Sequence, residues 1–470
     1  MTERLRVRLP SVFEILKPAV GPSSSHTLGP MLAARDFAKA AAAAVGCRRG
    51  GERIRVTLYG SLAFTGRGHL TDLAVAAGLA GYGPRELASR SLGAVAQAVR
   101  DAGHIQVDGR EMLFDLDRDV VFDVDAENLP HPNTMRLSLL DPGGAAVIEE
   151  TYYSVGGGRV LGGGLGELRE RQNSSGAISM SQVLTECERS GIDLVEYAYR
   201  IEETQHGHTR AEVDAHLDEI WGLMQQAMER GLTAEGTLPG FMHLERRAHG
   251  LYARFLEALP HFDILSAEAS LASIYAIAVA EENAAGGAVV TAPTCGSCGV
   301  LPACLRVVQE KLGSSDAAIR RALLVAELIG AMIATNASIS GAEVGCQGEI
   351  GAASAMSAGA VCLLLGGSAR DQVDRAAESA LEHYLGLTCD PVGGLVQIPC
   401  IERNAAGAVS ALHAASLAMI SGGVDRVSFD DVVEAMHKTG LDLDARYKET
   451  ARGGLAVDPD LCDPGAARHR

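Results

Sequence analysis

At 470 residues, with hydrophobic side chains at 47% and aromatics at only 4%, the chain is long enough for two or three domains. Their cores must be built from Ala, Leu, Val and Ile packed closely among 54 glycines. A formal net charge of -18, with no Lys/Arg cluster to offset it, excludes nucleic acid and anionic membrane surfaces as natural partners. The leading segment MTERLRVRLP has no apolar core of the kind a signal peptide needs, so a cytoplasmic location with reduced thiols is expected. Ten cysteines are too few for a disulfide scaffold, which leaves metal ligation open for some of them; Cys47, Cys187, Cys304 and Cys362 read as small buried hydrophobes.

Along the chain, GPSSSHTLGP (21–30) sets the hydroxyls of Ser23, Ser24, Ser25 and Thr27 around His26, just ahead of the helical run MLAARDFAKAAAAA. These groups read as a helix cap whose free amides can also receive a carboxylate. Residues 53–59 alternate, with Ile54, Val56 and Leu58 on one face, and predict a strand. Beyond it, GSLAFTGRGHLTDLA puts His69 between a glycine and Asp72, a position suited to a general base, with a solvated loop histidine as the bland reading. A third polar turn, HPNTMRL, carries His131, Asn133 and Thr134 and leads into the alternating Met135, Leu137 and Leu139.

Residues 1–160 therefore read as an α+β domain. The glycine-rich passage SVGGGRVLGGGLGE (154–167) suits a domain junction, with 161–177 as a linker; its loose G-x-G-x-x-G match lacks the β-α-β setting a phosphate loop requires. From 178 to 470 the signals are helical, with capping boxes at Thr209/Glu212 and Ser428/Asp431. The apolar runs 322–334 and 350–365 are short or rich in Ser, Gly and Ala and read as buried helices. Helix-breaking segments near 291–299, 336–349 and 386–404 are where chemistry is expected.

Two sets of cysteines lie in those breaks. Cys295-Gly-Ser-Cys298 resembles a thioredoxin-type CxxC, but no aromatic precedes it and no sheet surrounds it, so redox function ranks below a structural or site-lining role. A zinc pair there lacks the further ligands to complete four. Cys346, Cys389 and Cys400 each sit beside Gly or Pro, where backbone can approach a bulky inorganic group. Three thiolates leave one iron of a four-iron cluster without a cysteine, free to act as a Lewis acid; spacing alone leaves inert buried thiols as an equal alternative.

GPSSSHT (21–27), GRGHLTD (66–72), HPNTM (131–135), EENAAGG (281–287), ISGAEVGCQGE (339–349), GLTCDP (386–391) and PCIERNA (399–405), in this order, resemble the single-chain iron–sulfur L-serine dehydratases over residues 10–457. The resemblance implies an N-terminal α+β domain, like the allosteric substrate-binding domain of some phosphoglycerate dehydrogenases, followed by an all-α catalytic domain. It implies a [4Fe-4S] cluster on Cys346, Cys389 and Cys400, with the fourth iron assisting loss of hydroxide from L-serine. It makes His69 the base, with His26, Ser23, Ser24, Ser25 and Thr27 binding the carboxylate or steering the substrate and Asn133 and Thr134 assisting. The products are pyruvate and ammonia, and the subunits pair as a homodimer.

Two departures stand out. Cys295 replaces the asparagine usual in TAPTNG, and Cys462, in the place of a tail cysteine that can cap the fourth iron, is followed by eight more residues, DPGAARHR. Pyridoxal phosphate chemistry is argued against by lysine scarcity: Lys17, Lys39, Lys311, Lys438 and Lys448 are the whole set, and none sits in a phosphate-binding loop. Two other classes stay open, a thiol–disulfide oxidoreductase using Cys295 and Cys298 and a non-catalytic amino-acid sensor built on the N-terminal domain.

Overall fold

The computed structural model describes residues 8–45, 50–165, 178–259, 267–422 and 426–458. A three-residue strand, β1 (Pro18–Val20), stands apart from the sheet that follows it. That sheet comprises β2 (Arg53–Tyr59), the β3 (His104–Val107) and β4 (Arg110–Leu113) hairpin, β5 (Val120–Asp123), β6 (Thr134–Leu140), β7 (Ala146–Ser154) and β8 (Val160–Gly162). It runs in the order β3-β4-β2-β6-β7-β8, with β5 also beside β2.

The alternation expected for 53–59 fixes the register of the central pair. Ile54 lies opposite Leu139, Val56 opposite Leu137 and Leu58 opposite Met135, so both apolar faces point the same way and all six side chains are fully buried. The helices Gly29–Val45, Thr71–Leu79 and Leu92–Ala102 cover that face, with Phe37, Ala41, Val75, Leu79, Ala96 and Val99 joining one core. Alanine at the contact positions lets these helices approach the sheet closely.

The region after 178 is built around the helix Ile350–Leu364, in which every residue from Ile350 to Cys362 is buried. Its sequence, IGAASAMSAGAVCLL, has no broad polar face because it is ringed by Val300–Leu312, Asp316–Asn336, Asp374–Glu382 and Cys400–Ile420. Small residues set the spacing: a Cβ on Gly407 would sit 3.0 Å from Ser354 Oγ, and one on Gly330 would sit 2.9 Å from Met356 Sδ. The expected capping boxes at Thr209/Glu212 and Ser428/Asp431 are both formed. No helix among the described residues is long and apolar enough to cross a membrane.

Two features differ from the sequence reading. The helical region contains a strand, β9 (Ala288–Val290), which pairs antiparallel with β1. The chain before the sheet also belongs to the helical core: Ser11 caps the one-turn helix Val12–Ile15, and Leu9, Val12, Ile15 and Leu16 bury themselves with Ile319, Leu323 and other residues of that core. Glu202 secures the segment by accepting hydrogen bonds from Ser11 Oγ (2.8 Å) and the Val12 amide (2.7 Å).

The glycine-rich passage is a packed contact before it is a linker. Gly156, with φ 94°, lies against Ser340; a Cβ on Gly157 would meet Ile339 Cδ1 at 3.0 Å, and one on Gly158 would overlap Leu28. Here glycine is needed both for the left-handed backbone and for the close approach. The expected linker from 161 begins inside β8, and its residues 166–177 lie outside the described residues.

Candidate functional site

The site grows from two short turns of the N-terminal half. Ser23 caps the π-helical turn Ser24–Leu28, accepting from the His26 amide at 3.1 Å, and its own amide donates to Thr27 Oγ1 at 3.1 Å. Thr27 Oγ1 donates onward to the carbonyl of His69 (2.7 Å), while Thr71 Oγ1 donates to the carbonyl of His26 (2.6 Å). These two hydroxyls clasp the turns together, so the fully buried rings of His26 and His69 lie with centroids 4.5 Å apart.

Hydrogen-bond partners fix the tautomers. His69 Nδ1 lies 2.9 Å from the Thr65 carbonyl, which can only accept, so Nδ1 carries the proton and the lone pair is on Nε2. Nε2 has no hydrogen-bond partner. Burial lowers the His69 pKa to about 4, so the ring is neutral at physiological pH. Ser61 gives its hydroxyl proton to the carbonyl of Glu449 (2.6 Å), so it accepts from His26 Nε2 (3.0 Å), and His26 Nδ1 accepts from Ser25 Oγ (2.8 Å). Burial, reinforced by the neighbouring His69, holds His26 well below the usual histidine range.

Three thiols approach from the helical half. Cys346 opens the tight turn Cys346–Gly348, and its amide bonds the Leu387 carbonyl (2.9 Å), which brings it beside the loop of Cys389. Cys400 begins the helix Cys400–Ile420 and is the most open of the three. The Cys346 thiol is pulled down to about 6, chiefly by a hydrogen bond with Cys389, whose own thiol is pushed well above the usual range. Arg403 lies among all three, with Nη1 donating to the Thr388 carbonyl (2.7 Å) and Nη2 to Asp390 (3.1 Å). Asn404 ties the Cys400 helix to the 296–299 turn, donating to the Gly296 carbonyl (2.8 Å) and accepting from the Gly299 amide (2.9 Å).

Between the halves lies a narrow cleft lined by Pro22, Ser23, His69, Gly296, Glu349, Cys389, Pro391, Val396, Cys400 and Glu449. Of its two acidic residues, Glu449 is buried and Glu349 partly so. Glu349 accepts from Thr294 Oγ1 (2.7 Å), and burial with the nearby Cys346 raises it to about 8. Glu449 comes from a C-terminal segment clipped to the Cys389 loop: the Cys389 amide donates to the Tyr447 carbonyl (2.8 Å) and the Glu449 amide to the Cys389 carbonyl (2.9 Å). Its Oε1 is 3.4 Å from His26 Nδ1 and 3.5 Å from His69 Nε2, and burial pushes its carboxyl well above the usual range.

Of the residues singled out from sequence, the structure brings Ser23, His69, Cys389 and Cys400 to the cleft wall, with Cys346 bonded to Cys389 and with Ser25 and Thr27 behind the histidines they orient. Ser24 is buried within the turn. Asn133 and Thr134 are not among the lining residues: Thr134 Oγ1 donates to the His131 carbonyl (2.7 Å) and Asn133 Nδ2 to the Ser154 carbonyl (3.2 Å). Their turn instead joins the halves through His131 Nε2, 3.3 Å from Glu343 Oε1. Gly296 lines the cleft, whereas the Cys295 thiol faces the Val20 carbonyl at 4.0 Å. Cys295 and Cys298 are buried, and burial drives both thiols away from the thiolate form that disulfide exchange needs. Cys462 and Cys47 lie outside the described residues.

Sequence reading passed over Ser61, Thr294, Glu349, Arg403, Asn404 and Glu449. Ser61, Glu349, Arg403 and Asn404 stand inside the polar segments 60–74, 339–349 and 399–405, but Glu449, in RYKETARGG, carries no local signal.

The matches to known proteins follow the same two halves. Residues 11–163 match the family model described as serine dehydratase beta chain, and residues 189–456 match the serine dehydratase alpha chain. The chain belongs to the serine dehydratase family. It is 43% identical to the L-serine dehydratase of Streptomyces coelicolor, over 96% of this chain and 99% of that one. It is 41% identical to L-serine dehydratase 2 of Escherichia coli, over 96% and 100%. It is also 41% identical to the L-serine dehydratase of Mycobacterium bovis, over 95% and 98%. The beta-containing half and the helical half of the family are thus carried in one chain.

Proposed function

We propose that this protein removes water from L-serine, giving pyruvate and ammonia, with a [4Fe-4S] cluster held by Cys346, Cys389 and Cys400. The observation that carries the reading is that two thiols, Cys389 and the partly open Cys400, and a neutral histidine with a free lone pair line one cleft, with the buried Cys346 hydrogen-bonded to Cys389 behind it. The donor set fits such a group. Arg403 offsets thiolate charge, and the absence of a side chain at Gly341, where a Cβ would stand 3.3 Å from Cys389 Sγ, leaves room beside the thiols. Bound there through three thiolates, the cluster supplies one iron without a cysteine, a Lewis acid for the substrate hydroxyl.

The rest is done by the chain's own residues. Serine's α-hydrogen is weakly acidic, so elimination needs a base positioned at the α-carbon. His69 takes that proton on Nε2, the nitrogen left bare because Nδ1 is committed to Thr65. A depressed pKa keeps the ring unprotonated and ready, at some loss of basic strength. Ser25 and Ser61 hold His26 in one tautomer beside it, and Ser23 presents its hydroxyl at the wall to orient the substrate. The released aminoacrylate tautomerises to an imine, which water hydrolyses to pyruvate and ammonia. The family resemblance adds a cytoplasmic homodimer to this reading.

The test is an anaerobic assay after reconstitution with iron and sulfide. Equal amounts of pyruvate and ammonia from L-serine, with activity and brown colour lost together in air, are expected. Full activity in colourless, iron-free protein overturns the reading.

A further inference from the structure

Glu449 is a carboxyl group that the protein's own interactions leave incomplete. It is almost fully buried, it lines the cleft, and its Oε2 has no hydrogen-bond partner. Ser25 also lies close to it, but the Ser25 hydroxyl proton goes to His26 Nδ1; among the described residues its ion-pair partners are His26, neutral by its hydrogen bonds, and His69, kept neutral by burial. Arg403, the guanidinium among the thiols, is directed at Thr388, Asp390 and Cys346. A carboxyl in such surroundings is costly unless a cation reaches it.

The backbone shows that the position is held deliberately. Glu449 has φ 58° and Ala451 φ 52°, left-handed values that non-glycine residues seldom adopt. The hydrogen bonds with the Cys389 loop and from Ser61 Oγ to the Glu449 carbonyl hold that conformation and aim the side chain between the histidines.

We propose that Glu449 is the receptor for the ammonium group of the amino-acid substrate. The inference rests on the reading of the cleft as the L-serine site. If His69 Nε2 removes the α-proton, the α-carbon lies against Nε2, and the ammonium nitrogen is one bond from that carbon. An acceptor for it must therefore stand within a few ångströms of Nε2, and Glu449 Oε1 is 3.5 Å away. Glu349, the other carboxyl in the cleft, already accepts from Thr294 and sits beside Cys346. The assignment makes the site selective for α-amino acids over hydroxy acids that lack the ammonium.

The experiment compares L-alanine with propionate, which differ in the ammonium group and carry no hydroxyl to eliminate. Both are measured as inhibitors of the anaerobic, cluster-bearing enzyme, as wild type and as Glu449→Gln. Wild type is expected to prefer alanine by on the order of 100-fold, the scale of a buried charge pair, and Glu449→Gln by no more than about 3-fold. In the variant the KM for L-serine rises on the order of 100-fold while the visible absorption of the cluster is unchanged. A Glu449→Gln enzyme that keeps the alanine preference overturns the assignment, as does a wild type that binds the two equally. Should the variant fail to hold its cluster, Glu449→Asp, which retains the charge, must keep the preference; its loss there also overturns the assignment. Pyruvate formation by the wild type tests the underlying reading separately. No pyruvate defeats that reading, whereas pyruvate with an unaltered inhibitor preference in Glu449→Gln defeats the ammonium assignment alone.

Discussion

Replacing His69 by asparagine separates its two nitrogens. An asparagine amide reaches roughly where Nδ1 lies, so the variant keeps a donor for the Thr65 carbonyl, at 2.9 Å in the wild type, and deletes the atom with the free lone pair. The buried carbonyl therefore stays satisfied, and the 1–3 kcal/mol that an orphaned acceptor costs, an order-of-magnitude figure, is avoided. What remains is a smaller side chain in a fully buried position next to His26, a loss on the order of 1–2 kcal/mol of stability. The catalytic loss is of another size. Removing a positioned general base lowers turnover by about 10²- to 10⁴-fold. Pyruvate formation should fall by that factor in anaerobic enzyme while the visible absorption of the cluster holds, because no hydrogen bond links His69 to the thiols. Exchange of the α-hydrogen of serine with solvent, followed by NMR, should fall with it. A His69→Asn enzyme within tenfold of wild type refutes the assignment of the base.

Further outcomes follow from the same structure. With His69 lowered to about 4, the acid side of the pH profile of kcat/KM should lie well below the 6.5 of an ordinary histidine, and a limb near 6.5 argues against a buried base. The sign for stability agrees: a folded pKa below the unfolded one gives stability that is complete above about pH 6.5 and lost as pH falls towards 4, measurable as denaturation midpoint against pH. Gly156→Ala, at φ 94° and with its new Cβ 3.1 Å from Ser340 Cβ, should lower stability by about 1–3 kcal/mol in urea unfolding; an unchanged midpoint means that the loop does not dock. The double change Cys295→Ala with Cys298→Ala should leave serine elimination within a few-fold of wild type, and loss of activity with an intact cluster contradicts a packing role for these thiols.

The sheet was legible because alternation is local: Ile54, Val56 and Leu58 announce a face, and Met135, Leu137 and Leu139 its partner. The buried helix at 350–364 was legible from its uninterrupted small and apolar residues. The attachment of residues 9–16 to the helical core was not, since a one-turn helix has too short a pattern to show which body it packs on. Cysteine spacing likewise hides the meeting of Cys346, Cys389 and Cys400, which depends on the Cys346 amide reaching Leu387. Glu449 is the clearest case. It is one of 59 acidic residues, and only the pairing of its segment with the Cys389 loop, sixty residues earlier, distinguishes it. Asn133 and Thr134 show the converse, polar residues in a quoted motif whose hydrogen bonds hold the join between halves rather than the cleft wall.

The central claim is that three thiolates leave one iron open to substrate. It is tested most directly by Mössbauer spectroscopy of protein reconstituted with enriched iron, before and after addition of L-serine. About four irons per chain are expected, of which a single site changes its spectrum on binding serine, and a Cys389→Ser variant should fail to assemble the cluster. A spectrum unaltered by serine in an enzyme that turns it over, or full turnover without iron, contradicts the claim.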